Sequence, residues 1–359
     1  MHFYRITNAD GKQWVMPSHN MAMGMLLYQP SAWKGYALKK WFPLINRLDV
    51  GGVARKALHI ETCSNPISDT LQQLLCKVFQ EKDLEYSIFN GTPCAHQKVT
   101  IQVYKDDKIL GYCKVTDKPE LIDIFQREES YLQWLAACNV SGVPSCLCCQ
   151  ELTEGTWVFV QSTTKSKTSI VRHSLGHLEL GFLKQLSDHT KVNIPFTKTD
   201  MSSWLKRMEQ TPIGKNPEIK DAIQTVRDYF SQTERNRFSA FHSDFTPWNM
   251  FVEDKKLFVF DWEYAGRTYI PYLDIIHYLI QTSVFETKLD AQGIYDILFV
   301  KNKDLLSQYF LNPRVAVLSY LLDIMAKYAI RDEGHETADT ENLKNERLGL
   351  LSLVIKQNS

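Results

Sequence analysis

The sequence predicts an α+β chain built as two lobes, a small antiparallel β-sheet lobe with one helix and a larger, mainly helical lobe, preceded by an N-terminal extension. Three observations predict it. Between Tyr86 and Ser162 the apolar residues fall into short strand-like runs interrupted by a single long helical pattern. After the polar stretch Ser162 to Ser169, which includes TTKSKTS, apolar positions recur at helical spacing almost to the end. Residues 1–85 carry a pattern of their own that contains no motif of chemistry.

HFYRIT and KQWVMP are β-prone runs flanking NADG, which reads as a hairpin. KGYALKKWFPLINRL follows as a helix-like stretch. From Ser68 to Gln80, Leu71, Leu74, Leu75, Val78 and Phe79 repeat at helical spacing, with Ser68 or Asp69 as the cap. Strands are expected at Tyr86–Phe89, Val99–Tyr104 and Ile109–Thr116, the first two joined by an NGTP turn region and the third preceded by KDDK. Glu120–Cys138 is a long amphipathic helix, and strands at Ser145–Cys149 and Trp157–Gln161 close the sheet. The expected division is 1–85, 86–162 and 163–359. Helices are expected at Leu175–Thr190, Met201–Glu209, Glu218–Ser231 and from Tyr272 onward.

Composition narrows the class. Lys plus Arg (41) equals Asp plus Glu (41), so binding to nucleic acid through bulk positive charge is excluded. The start, MHFYRITNADGK, lacks the basic and apolar regions of a signal peptide. No segment offers ~18 uninterrupted apolar residues for a membrane span. Even Val315 to Ile330 is broken by Asp323 and Lys327. The expectation is a soluble cytoplasmic protein. The eight cysteines show no disulfide framework, and CLCC (Cys146 to Cys149) lacks a second pair of metal ligands nearby. It reads as reduced thiols in a short buried strand.

One segment stands apart: His242 to Glu263, HSDFTPWNMFVEDKKLFVFDWE. Asp244 follows His242 by two and Asn249 follows Asp244 by five. The Asp-to-Asn interval is that of the protein-kinase catalytic loop H-R-D-x-x-x-x-N. Met250–Val252 and Leu257–Phe260 then form two short strands around EDKK. In an antiparallel hairpin, the residue entering the first strand lies beside the residue leaving the second. Asn249 and Asp261 are thus brought together next to Asp244. Phosphoryl transfer needs a carboxylate to orient an acceptor hydroxyl and hard oxygen ligands for Mg²⁺, and this segment supplies both.

HSDFTPWN followed by VFDWEYAG resembles the aminoglycoside phosphotransferase and choline kinase superfamily, over roughly Tyr86 to Gln281. The family pattern is H-G-D or H-N-D, four residues, N, then an apolar strand ending in D-W/Y-E; here Ser243 holds the middle position. The resemblance implies a bilobal protein-kinase-like fold and an ATP- or GTP-dependent, Mg²⁺-requiring kinase acting on a small-molecule hydroxyl. It implies that Asp244 is the catalytic base or hydroxyl-orienting residue and that Asn249 and Asp261 hold Mg²⁺, with His242 bracing the loop. It makes Asp274, in PYLDIIHYL, a residue that steadies the loop, with a simple helix N-cap as the other reading. Lys114 in GYCKVT becomes the phosphate-binding lysine, paired with Glu128 or its neighbour Glu129. Gly91 and Thr92, in the Asn90-Gly91-Thr92 turn, would cover phosphates with backbone N–H groups. Val158 to Ser162 would be the hinge that holds the adenine.

The acceptor stays open at this level. The wording of the motif favours a sugar-like or polysaccharide-precursor acceptor. A choline- or ethanolamine-type kinase is the alternative enzyme, and a pseudokinase or nucleotide-binding scaffold is the alternative of another class. A protein kinase is disfavoured because WEYAGR runs to PYLD with little room for an activation loop.

Overall fold

The computed structural model describes residues 2–8, 11–30, 33–47, 52–53, 56, 60–64, 66–91, 97–331 and 338–356. The first hairpin forms as its alternation requires: β1 (Phe3–Thr7) pairs antiparallel with β2 (Gln13–Pro17), Thr7 opposite Gln13. Two helices follow, α1 (Met21–Gly24) and α2 (Trp33–Arg47), and then β3 (Glu61–Cys63), which pairs with β1. Helix α3 (Asp69–Phe79) is capped by Ser68, whose Oγ accepts from the Leu71 N–H at 3.2 Å. It closes on Gln80 in the left-handed conformation.

Strands β4 (Glu85–Phe89), β5 (Val99–Lys105) and β6 (Lys108–Thr116) form a meander. After α4 (Pro119–Ala137) come β7 (Cys146–Thr153) and β8 (Thr156–Ser162). The eight strands make one sheet in the order β3-β1-β2-β4-β5-β6-β8-β7. The join between the N-terminal strands and the rest is β2 on β4, with Trp14 opposite Phe89 and Val15 opposite Ile88. Residues 1–85 therefore contribute three strands to the sheet that residues 85–162 continue. On one face, Leu71 and Leu75 of α3 pack in a cluster with Ile101, Val103, Cys113, Val158 and Val160. Phe159, between two of these valines, points to the opposite face, where its ring meets Phe125 of α4 at 5.9 Å.

Two expectations change here. CLCC does not lie in a buried strand: among the described residues β7 is an edge strand paired only with β8, so Cys146, Cys148 and Cys149 are half-buried free thiols and Leu147 is exposed. Partial burial still pushes the Cys146 thiol up, to about 12, which keeps it protonated. Nor can Val158–Gln161 offer its backbone to a ligand. β8 is laddered to β6 on one side and β7 on the other, and the Ser162 N–H is bonded to Ser145 O at 3.0 Å. Any backbone recognition by this strand is left to the Ser162 carbonyl and the residues after it.

The chain divides into two compact units, Met1–Trp134 with Val143–Ile170, and Leu135–Gly142 with Val171–Ser359. The second unit begins with α5 (His177–Thr190), β9 (Val192–Ile194), α6 (Asp200–Gln210) and α7 (Pro217–Ser231). β10 (Asn236–Phe241) is the centre of a three-stranded sheet with β9 and β13 (Gly266–Tyr269), and β11 (Met250–Glu253) pairs with β12 (Lys256–Val259). Helices α8 (Leu273–Phe285), α9 (Ala291–Asp296), α10 (Lys303–Tyr309), α11 (Pro313–Arg331) and α12 (Ala338–Lys356) complete it, with a π-turn at Ile297–Lys301. α11 is the central helix. It packs on α6, α7, α8 and α12, and Val317, Leu318, Leu321 and Leu322 are fully buried. Among the described residues no helix is long and apolar enough to cross a membrane.

Candidate active site

β10 delivers the motif. Phe238 to Phe241 are buried, so the strand is fixed on both faces up to the point where His242 begins the loop. Ser243 takes φ 71°, the left-handed region. Gly and Asn adopt that region readily, which explains why a Gly or Asn suits this position; serine is held there at a small conformational cost. Two restraints compensate. Asp274, in the first turn of α8, accepts the His242 N–H at 2.9 Å and the Ser243 N–H at 3.1 Å through its two carboxylate oxygens. Lys327 of α11 donates to Ser243 Oγ at 2.7 Å. Asp274 is therefore a loop brace and not the helix cap: the N-cap residue is Tyr272, which makes no side-chain capping bond. Burial pushes the Asp274 carboxyl up, to about 7, against the two N–H bonds and Lys327 that pull it down.

His242 is fully buried and its bonds fix its tautomer. The Asp244 N–H donates to Nδ1 at 3.1 Å, so Nε2 carries the hydrogen and donates to Phe260 O at 3.0 Å. Burial pulls its pKa down to about 4, outweighing the opposite pull of Asp244 and Asp261. The ring lies 4.3 Å from Trp262. A neutral, doubly bonded imidazole ties the loop to the far strand of the hairpin.

Asn249 donates through Nδ2 to Asp244 O at 3.0 Å and to Asp244 Oδ2 at 2.7 Å. The hairpin turn at Asp254-Lys255 has both residues at positive φ, 48° and 62°, a two-residue turn whose twist matches its strands. It sets Met250 opposite Val259, and the Phe260 N–H reaches Asn249 O at 3.0 Å. Asp261, at φ 70°, leaves the second strand next to that junction. The hairpin thus places Asn249 and Asp261 as its register dictates. A carboxylate oxygen of Asp261 and one of Glu263 lie within 4.8 Å of one another, and Glu263 is buried.

Three further groups had no part in the motif. His277 of α8 sits with Nε2 3.4 Å from Asp244 Oδ1, and burial lowers its pKa before the carboxylate raises it. Asp323 and Lys327, the same charges that interrupt the apolar run of α11, form a pair at 2.8 Å in which Asp323 is buried and Lys327 partly so. Asp323 also accepts from Tyr269 Oη at 3.0 Å, and the Lys327 ammonium lies 5.2 Å from the Phe241 ring. Opposite charges four apart inside an apolar helix are a sequence signal for such a pair. His277 carries no comparable signal, because its partner Asp244 comes from another element.

In the first unit, Cys113 faces the α3 side of the sheet, so Lys114 points to the other face. There its Nζ meets Glu128 Oε2 at 2.7 Å, with both side chains buried. Glu129 is half-buried and accepts instead from Gln133, which resolves the choice between the two glutamates. Gly91 has φ 80°, and a Cβ there would fall 2.4 Å from Lys98 O. Turn geometry alone therefore requires glycine. Thr92 lies outside the described residues.

No family model and no curated protein matches the sequence. Solved structures do match. A thermostable mutant of aminoglycoside phosphotransferase APH(4)-Ia in its apo form superposes with a TM-score of 0.53 at 12% identity, over 80% of this chain and 99% of that one. The fold is that of the aminoglycoside phosphotransferases. Another structure of APH(4)-Ia gives 0.52 at 10% identity over 81% and 99%, and a mutant in ternary complex with ADP and hygromycin B gives 0.51 at 12% over 80% and 98%. The aminoglycoside phosphotransferase fold thus accounts for nearly the whole of these solved chains and leaves about a fifth of this one outside the match.

Proposed function

We propose that the chain is a phosphotransferase that moves the γ-phosphoryl group of ATP or GTP to a hydroxyl of a small molecule, with Mg²⁺. The observation that carries this reading is the bond from Asn249 Nδ2 to Asp244 Oδ2, made beside the hairpin exit that positions Asp261.

The donor set suits Mg²⁺. Asn249 uses its amide hydrogens on Asp244, which leaves Oδ1 to face a cation, and Asp261 and Glu263 add carboxylate oxygens. When bound, the ion would neutralise charge on the phosphate oxygens. The protein's own groups do the rest. Asn249 fixes the Asp244 carboxylate through Oδ2. Oδ1, whose contact among the described residues is His277, is then the atom that accepts the acceptor's hydroxyl proton. His242 and Asp274 hold the loop so that this carboxylate does not wander. Lys114, oriented by Glu128 at 2.7 Å, would meet the α- and β-phosphates.

An ADP-release screen against sugars, amino alcohols and aminoglycosides tests the proposal. Turnover that requires Mg²⁺ and one acceptor class supports it. Nucleotide binding without turnover on any acceptor would favour the scaffold reading instead.

A further inference from the structure

Among the described residues, helix α2 is held to its unit by one side only. Phe42 is buried in the cluster with Tyr4, Trp14, Met16 and Tyr28, and Leu38 packs against that cluster. On the same side Lys39 Nζ donates to Tyr28 O at 2.7 Å and Asn46 Nδ2 to Ser18 O at 2.6 Å. At 100° per residue these four positions share one face.

The opposite face should be polar. Instead Trp33 is 75% exposed, Tyr36 62%, Trp41 52% and Leu44 50%. Among them stand Lys34, Lys40 and Arg47, all exposed, and the fifteen residues of the helix include no Asp or Glu. The cations stay close to the rings: Lys34 Nζ is 5.9 Å from the Trp33 ring and Lys40 Nζ 5.2 Å from the Trp41 ring. A run of exposed aromatics on one face marks an interaction surface. Aromatic rings interleaved with cations are the composition of a helix that lies in a headgroup layer, rings inserted and ammonium groups at the phosphates.

We propose that α2 docks the protein on a bilayer carrying anionic lipid, with the Trp33–Trp41–Leu44 face entering the headgroup region. Charge selects this occupant. A second copy of the chain would set one all-basic face against another, and like charges oppose that pairing. The bilayer offers the complementary sign, and also an apolar layer for the rings. This proposal is independent of the phosphotransferase reading and stands or falls without it.

The test is co-sedimentation of the full chain with vesicles of phosphatidylcholine alone and of equal parts phosphatidylcholine and phosphatidylglycerol. The protein should sediment with the mixed vesicles at low salt, and not with phosphatidylcholine alone or in molar salt. Replacing Lys34, Lys40 and Arg47 by serine should weaken partitioning by about fivefold per cation removed. The Trp33→Ser, Trp41→Ser double variant should weaken it by about tenfold or more with an unchanged melting temperature, since both rings are exposed. The proposal is overturned by absence from the mixed vesicles, by equal binding to both compositions, or by variants that bind as the wild type does. It is equally overturned if the double variant abolishes a concentration-dependent dimer in sedimentation velocity while no vesicle binding occurs, which would give the face to a second copy.

Discussion

Lys327 Nζ donates to Ser243 Oγ at 2.7 Å, joining the C-terminal part of α11 to the His242-Ser243-Asp244 loop across 84 residues of chain. The same ammonium neutralises Asp323, which is almost completely buried. Lys327→Met should therefore destabilise the protein by about 3–5 kcal/mol, because it strands a buried carboxylate. The Asp323→Asn, Lys327→Met double variant should be more stable than Lys327→Met alone. Chemical denaturation of the set checks this, and strict additivity would count against the pair. Ser243→Gly should be nearly neutral, because relief at φ 71° offsets the lost hydrogen bond.

The Lys114–Glu128 pair separates stability from function. Lys114→Met leaves Glu128 buried without its cation and should cost about 3–5 kcal/mol. Adding Glu128→Gln should recover part of that stability. Nucleotide affinity, read by calorimetry, should stay weak in both variants, since neither presents an oriented ammonium. Recovery of affinity in the double variant would remove Lys114 from phosphate binding.

Asp261→Asn should abolish the gain in ADP affinity that Mg²⁺ confers on the wild type, while leaving Mg²⁺-free binding in place. Glu263→Gln should reduce the same gain, given its carboxylate within 4.8 Å of that of Asp261. Calorimetry with and without Mg²⁺ measures both. An unchanged increment in Asp261→Asn would falsify the metal assignment.

Two buried groups respond to pH with opposite sign. His242 is held down to about 4, so its contribution to stability is present above the unfolded value of 6.5 and is lost as pH falls toward 4. Asp274 is held up to about 7, so its contribution is present below the unfolded value of 3.8 and is lost as pH rises through 7. The two offset each other in net stability between pH 4 and 6.5, and the imidazole itself is the better readout. Its ¹⁵N resonances should show a neutral ring protonated at Nε2 throughout pH 5 to 8. Titration near 6.5 in the folded protein would contradict the buried, doubly bonded geometry.

What the sequence revealed was local. Helix α3 was legible because Leu71 and Leu75 repeat at helical spacing behind a serine cap, and Asp244, Asn249 and Asp261 because one hairpin brings them together within a short segment. The unread parts depend on pairings between distant segments. Nothing in Trp14 or Phe89 announces that they face each other and join the first strands to the central sheet. Likewise the choice for Asp274 between cap and brace is made by N–H groups 31 and 32 residues away. CLCC misled for a related reason: apolar β-prone residues occur on edge and central strands alike, and the neighbour that decides is not in the run.

In the proposed reaction Asp244 Oδ1 takes the proton of an acceptor hydroxyl during phosphoryl transfer. The most direct measurement is single-turnover transfer of the γ-phosphoryl group to the acceptor found by screening, for wild type and Asp244→Ala, with nucleotide affinity measured in parallel. Asp244→Ala should slow transfer by about 10² to 10⁴ or more with nucleotide affinity retained. Transfer by Asp244→Ala at the wild-type rate would contradict that role for Asp244.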